Sequence, residues 1–224
     1  MRASVFASGF ARSISKHWRP GAGKHQNLDI YYDPNFAQLL EIWGIDNAWR
    51  EIQFLLGDRR GKVLDVACGT GRTHDFLSRF SELEYYGCDI SSFLIEKAIA
   101  RGIASDRVSI QDATKMTYED RSFDYIFSIG SLEHFTVEGI KATLAECARV
   151  SRGINFHQIP VSRSGFDEGW VSPYQSYWNN SERWWRGLFR EAFGPDVWVL
   201  ESRWDDLISR GVWFICGSKD YFIP

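Results

Sequence analysis

Three short apolar runs in this chain each stop at an aspartate, at Asp65, Asp89 and Asp112, which lie 24 and 23 residues apart. Stretches of helical character separate them: 73–79, and 92–101, where Phe93, Leu94, Ala98 and Ile99 share one side before Gly102 closes the helix. Strand, helix and strand at this period predict an α/β protein with a parallel sheet. The alternation continues with a strand over 123–129, a helix over 137–150 and a strand over 154–160. It ends in two runs, 197–200 and 212–216, about ten residues apart and able to pair antiparallel. Open parallel sheets bind ligands beyond the carboxyl ends of their strands, where all three aspartates are expected.

The first of these acids runs into a glycine turn, Val63-Leu64-Asp65-Val66-Ala67-Cys68-Gly69-Thr70-Gly71-Arg72. Gly69 and Gly71 lack Cβ atoms, so the turn can take positive φ and a flat ligand can lie against the main chain. A dinucleotide fingerprint needs a third glycine or alanine where this chain has His74, and a phosphate loop needs a Lys-Ser/Thr pair that does not follow. An acid at a strand end suits a ligand that carries an amino group there and no phosphate. The stretch resembles motif I of the class I S-adenosylmethionine-dependent methyltransferases. Later positions match as well, and the resemblance can be laid over residues 60–216, with its specific motifs between Val63 and His134.

That resemblance implies a Rossmann-like three-layer α/β sandwich. Its seven-stranded sheet is mostly parallel with an antiparallel last strand, framed by N-terminal helices and a C-terminal acceptor cap. The implied cofactor is S-adenosyl-L-methionine, released as S-adenosyl-L-homocysteine. Asp65, Ala67, Cys68, Gly69 and Gly71 would hold its amino-acid end. Asp89, with Ile90 beside it, would take both ribose hydroxyls, since Ser91 can supply the helix cap in its place. Asp112 and Ala113 would meet the adenine, and Ser128 would bind cofactor from strand four. Where strand four ends, His134 is the first candidate for general base, because a neutral imidazole can take a proton from an acceptor hydroxyl or amine. His157, at the end of strand five, is the second. Glu133 would orient the imidazole or meet the acceptor.

The acceptor half is less constrained. Seven of the ten tryptophans follow Gly165, interleaved with amides and acids that suit a small molecule or a sugar-containing acceptor. Trp170, Tyr174 and Trp178 are the expected lining, together with Trp43 from the N-terminal helices. Trp198, Trp204 and Trp213 read as packing. Residues 31–224 form one domain, with cap helices over 31–60 and an acceptor-binding insertion over 160–195. Residues 1–30 are expected to form a basic arm, and the acid-free composition from Met1 to Leu28 also resembles a transit peptide. Cys68, Cys88, Cys147 and Cys216 make no C-x-x-C pair, so they read as small buried hydrophobes in a reducing compartment, and a cytoplasmic location is expected. No run approaches the roughly 20 apolar residues of a membrane span. A net charge of −3 offers no surplus of cations for nucleic acid. No metal site is expected, and the oligomeric state stays open. Two other readings remain: a non-catalytic cofactor-binding partner subunit, and a nicotinamide-linked oxidoreductase, which the missing third glycine disfavours.

Overall fold

The computed structural model describes residues 26–79, 82–172 and 175–217. Most of the basic arm and Tyr174 therefore lie outside the described residues. The chain enters through a 3-10 turn, Leu28–Tyr32, followed by α1 (Pro34–Leu39) and α2 (Ala48–Leu56). The core then alternates as β1 (Gly61–Val66), α3 (His74–Leu77), β2 (Leu83–Asp89), α4 (Ser92–Ala100), β3 (Val108–Ile110), β4 (Phe123–Ile129), α5 (Val137–Val150) and β5 (Ser151–Ser162). A hairpin of β6 (Trp170–Val171) and β7 (Tyr177–Trp178), α6 (Glu182–Phe193), β8 (Val197–Asp205) and β9 (Ser209–Gly217) complete it.

The main sheet has seven strands in the order β3-β2-β1-β4-β5-β9-β8, all neighbours parallel up to β5, with β9 reversed between β5 and β8. The expected sheet is thus present, and the switch in strand order beside β1 opens a crevice at the strands' carboxyl ends. Alternation builds both faces. Val63, Phe127 and Trp213 pack with Trp49, Ile52 and Leu56 of α2 on one side, while Leu64, Ile126 and Phe214 pack with Leu144 of α5 and Trp185 and Phe189 of α6 on the other. Each such side chain contributes about 1.5–3 kcal/mol by leaving water.

Helix ends follow local chemistry. Asp33 accepts from the Asn35 N–H at 2.7 Å ahead of Pro34, and Ser91 accepts from the Leu94 N–H at 3.2 Å to cap α4. The helix expected over 73–79 shrinks to four residues. The final strands run longer than their apolar runs, because backbone pairing carries the polar stretch Glu201–Asp205 along β9 despite a register shift. Residues 160–195 divide between two roles: α6 covers the sheet, and the β6–β7 hairpin packs beside the 3-10 turn Leu132–His134. Among the described residues, no helix is long and apolar enough to cross a membrane.

Candidate active site

The loop after β1 turns sharply, with φ of +58° at Ala67, +56° at Gly69 and +69° at Gly71. An alanine held in the left-handed region costs backbone energy that the surrounding bonds must offset. Those bonds are present. Cys68 N donates to the Cys88 carbonyl, Gly69 N to Asp89 Oδ2, and Gly71 N to the Cys68 carbonyl, each at 2.9 Å. Gly71 has a packing reason to be glycine: a Cβ there would lie 2.5 Å from Ile103 Cδ1 and 3.2 Å from Ala98 Cβ. It lets α4 close against the turn and does not itself line the cavity.

That cavity, about 530 Å³, opens over the loop. Asp65, Asp89 and Asp112, at or just past the carboxyl ends of β1, β2 and β3, all line it, as do Ala67, Cys68, Gly69, Ile90 and Ala113. Asp65 is buried and accepts hydrogen bonds from the Thr73 hydroxyl and, at 2.8 Å, from Tyr85. Burial raises its carboxyl to about 7 against these stabilising bonds. Asp89 accepts from Gly69 N and Ser91 N, both at 2.9 Å, one on each oxygen, and burial raises its pKa too. Each oxygen keeps a further lone pair for a ligand donor. Asp112 commits one oxygen to Thr114, through the N–H at 2.9 Å and the hydroxyl at 2.7 Å.

The N-terminal segment closes over this floor. Arg101 on α4 donates to the Thr70 carbonyl at 2.9 Å, to Asp75 at 2.8 Å and to both oxygens of Glu41 at 2.5 Å, so one guanidinium ties the glycine turn to the residues after α1. Ser91 Oγ donates to the Tyr31 carbonyl at 2.8 Å, and Tyr31 lines the cavity. Trp43 lies over Gly130, where φ is +59° and a Cβ would sit 3.0 Å from the indole.

Past β4, Gly130, Ser131, Glu133 and His134 face the same space. His134 Nδ1 donates to the Ser176 carbonyl at 2.7 Å, which fixes the tautomer and leaves Nε2 with its lone pair. Burial lowers its pKa to about 4, so it is neutral at pH 7 and a weak base. Glu133 moves the other way: burial raises it to about 8, and Oε2 has no hydrogen-bond partner among the described residues.

Several expected site residues lie elsewhere. Ser128 and His157 are register partners on the sheet face opposite the cavity, where Ser128 Oγ meets His157 Nδ1 at 2.8 Å and the imidazole packs on Phe189. Burial pushes His157 to about 3, and it does not line this cavity. The residues that do face inward there are their chain neighbours, Ile129 and Gln158. Gln158 drew no attention in the sequence, yet period-two alternation along β5 turns it inward once His157 turns out. Trp170 and Trp178 also lie off the cavity: they stack edge to face at 5.2 Å, and Trp178 Nε1 donates to the Phe135 carbonyl at 2.9 Å. Trp204, read as packing, lines it instead, and Trp213 is buried with its indole N–H on Glu51 at 2.6 Å. No cluster of candidate metal ligands occurs among the described residues.

Comparison with known proteins fits this geometry. Residues 63–153 match a family described as a methyltransferase domain. A probable tRNA methyltransferase 9B from Bos taurus is 34% identical over 127 residues, 54% of this chain and 26% of that protein. A demethylmenaquinone methyltransferase from Thermotoga maritima is 34% identical over 143 residues, 61% of each. The chain thus spans about a quarter of the first relative's length and about three-fifths of the second's. Among solved structures, a Burkholderia thailandensis 1,6-didemethyltoxoflavin-N1-methyltransferase, with its acceptor and S-adenosylhomocysteine bound, superposes with a TM-score of 0.64 at 18% identity, covering 86% of this chain and 85% of that one. Residues 63–153 are thus similar to a methyltransferase domain, and the chain shares the fold of solved methyltransferase structures.

Proposed function

We propose that this protein methylates an oxygen or nitrogen of a small-molecule acceptor bound inside the cavity. The observation that carries the reading is the convergence of three strand-end acids, the glycine turn and the end of β4 on one cavity. The residues present suit the cofactor. Asp65, Ala67, Cys68 and Gly69 would hold its amino-acid end, the free lone pairs of Asp89 its ribose hydroxyls, and Asp112 its adenine amine, with Ile90 and Ala113 as apolar flanks. S-adenosylmethionine supplies a methyl already activated on sulfonium, so the protein's main work is positioning, worth up to about 7–11 kcal/mol.

A small acceptor suits the aromatic walls, Trp43, Phe135, Tyr177 and Trp204, and the net charge of −3. Phosphate-rich acceptors would have to approach through a surface without a cationic surplus. His134, held on Ser176 and too weak a base at about 4 to take a proton readily, serves here as an acceptor of a hydrogen bond at Nε2. Calorimetry with S-adenosylhomocysteine and NADH tests the cofactor: the first should bind and the second should not. Transfer of labelled methyl onto a panel of small acceptors and onto tRNA tests the class. Turnover of tRNA alone would replace this reading, and binding without any transfer would favour a non-catalytic partner subunit.

A further inference from the structure

The acceptor end of the cavity holds three buried side chains with polar atoms that no described residue satisfies: Glu133 Oε2, Ser131 Oγ and both amide atoms of Gln158. Glu133 is 4% exposed and Gln158 1%. Buried polar atoms are rarely left without partners, and several facing one space mark a place where a ligand completes the bonding. A carboxyl group is the most demanding of these, since its ionised form is costly in a dry site without an opposite charge.

No such charge lies nearby. Among the described residues, the one ionisable group at ion-pair range of Glu133 is His134 Nε2 at 3.7 Å, on an imidazole that is neutral at pH 7. Arg72 also lines the cavity but spends its guanidinium on Asp75 and Glu41. The surroundings are aromatic: Trp43 covers the adjacent Gly130, and the phenols of Tyr31 and Tyr177 lie close enough to feel the Glu133 charge. A buried carboxyl without a counter-charge among aromatic faces is driven to ionise by an incoming positive charge, which makes it a site for an organic cation.

Resting on the methyltransferase reading, we propose that the acceptor is a small amine, held as its ammonium by Glu133, while Gln158 and Ser131 read a hydrogen-bonding edge elsewhere on the same molecule. An alcohol of the same shape brings no charge to pair with the carboxyl, and a carboxylate or phosphate at this point makes its ionisation costlier still. The chemistry balances with the groups present. The ammonium gives its proton to Glu133, and the freed nitrogen lone pair forms the new N–C bond. As the S–C bond breaks, its electron pair returns to sulfur and discharges the sulfonium, and the positive charge passes to the methylated nitrogen.

The test uses the full-length protein loaded with S-adenosylhomocysteine, titrated calorimetrically with 2-phenylethylamine and, as its neutral counterpart, 2-phenylethanol. The amine should bind about tenfold or more tightly than the alcohol, as a charge-assisted bond to a buried carboxylate requires. Glu133→Gln should abolish that preference, Glu133→Asp should retain part of it, and affinity for S-adenosylhomocysteine should stay within about twofold in both. Equal binding of the two probes, failure of the amine to bind, or a preference that survives Glu133→Gln overturns the proposal. Failure of the wild-type protein to bind S-adenosylhomocysteine overturns the cofactor reading, and that first titration separates the two failures.

Discussion

The two ends of the cavity are built on opposite plans. At the floor, the acids already bond within the protein: Asp65 to Thr73 and Tyr85, Asp89 to two backbone N–H groups, Asp112 to Thr114. At the β4 end, Glu133, Ser131 and Gln158 keep buried polar atoms without partners among the described residues. A pre-bonded floor holds its geometry whether or not a ligand is there, which suits a constant cofactor. An unsatisfied wall carries an energetic cost until the right molecule arrives, which makes it selective, since a site built for hydrogen bonds rejects molecules that cannot make them.

The largest break in this contrast should come at Asp89. Asp89→Ala removes two charged acceptors for the ribose and the bond that holds the Gly69 N–H. At about 1.5–3 kcal/mol for each charge-assisted bond, affinity for S-adenosylhomocysteine should fall about 100-fold or more, measured by calorimetry, with the circular-dichroism spectrum retained. An affinity within a few-fold of wild type would place the ribose elsewhere.

At the acceptor wall the same logic predicts the opposite response of stability. Burial raises Glu133 from 4.5 to about 8 and Asp65 from 3.8 to about 7, so both bind protons more tightly folded than unfolded. Their contribution is fully present below about pH 4 and is lost as pH rises through 7 and 8. The ligand-free protein should therefore melt at lower temperature at pH 9 than at pH 6.5. Glu133→Gln cannot ionise and should recover on the order of 2 kcal/mol at pH 9, roughly 4–8 °C by scanning calorimetry, while differing little from wild type at pH 5. His134 and His157, lowered to about 4 and 3, act at the other end, losing stability as pH falls below 6.5. An unchanged melting temperature at pH 9 would mean that Glu133 is already paired.

The floor was readable in the sequence because its signals are local. Asp65, Asp89 and Asp112 each close an apolar run, and the Gly69–Gly71 turn follows the first of them directly. The wall was not, because its members come from distant segments and their direction depends on which way one strand faces. His157 drew attention as a titratable residue at a strand end, but Ser128 beside it in register and Phe189 of α6 claim it for the opposite face. Gln158 carries no chemical flag by itself and becomes visible only when that alternation is followed. The late tryptophans misled for a related reason. Trp170 and Trp178 form an aromatic ladder with Trp184 and Trp185 that braces the hairpin, whereas Trp204 reaches the cavity from an edge strand whose polar residues read as loop.

The clamp between the two ends should show an intermediate effect. Arg101→Met keeps the packing of the long side chain but releases Thr70, Asp75 and Glu41 together, loosening the segment after α1 over the cavity. Glu41 is partly exposed, so solvent screens the pair and the loss should be modest, about tenfold in S-adenosylhomocysteine affinity. Raised salt should weaken the wild-type protein in the same direction and leave Arg101→Met less affected. Equal salt dependence in the two proteins would show that the guanidinium does not carry the closure.

The smallest effect distinguishes bracing from contact. Trp178→Phe keeps an aromatic ring against Trp170 and Trp184 but deletes the indole N–H that holds the Phe135 carbonyl, one residue beyond His134. A single neutral hydrogen bond is worth about 1 kcal/mol, so melting should fall by roughly 2–4 °C. Because Trp178 touches neither the acids of the floor nor the unsatisfied atoms of the wall, S-adenosylhomocysteine affinity and the binding of 2-phenylethylamine should both hold within about twofold of wild type. A selective loss of amine binding with unchanged melting would instead bring Trp178 into the acceptor site, and the hairpin would then belong to the wall.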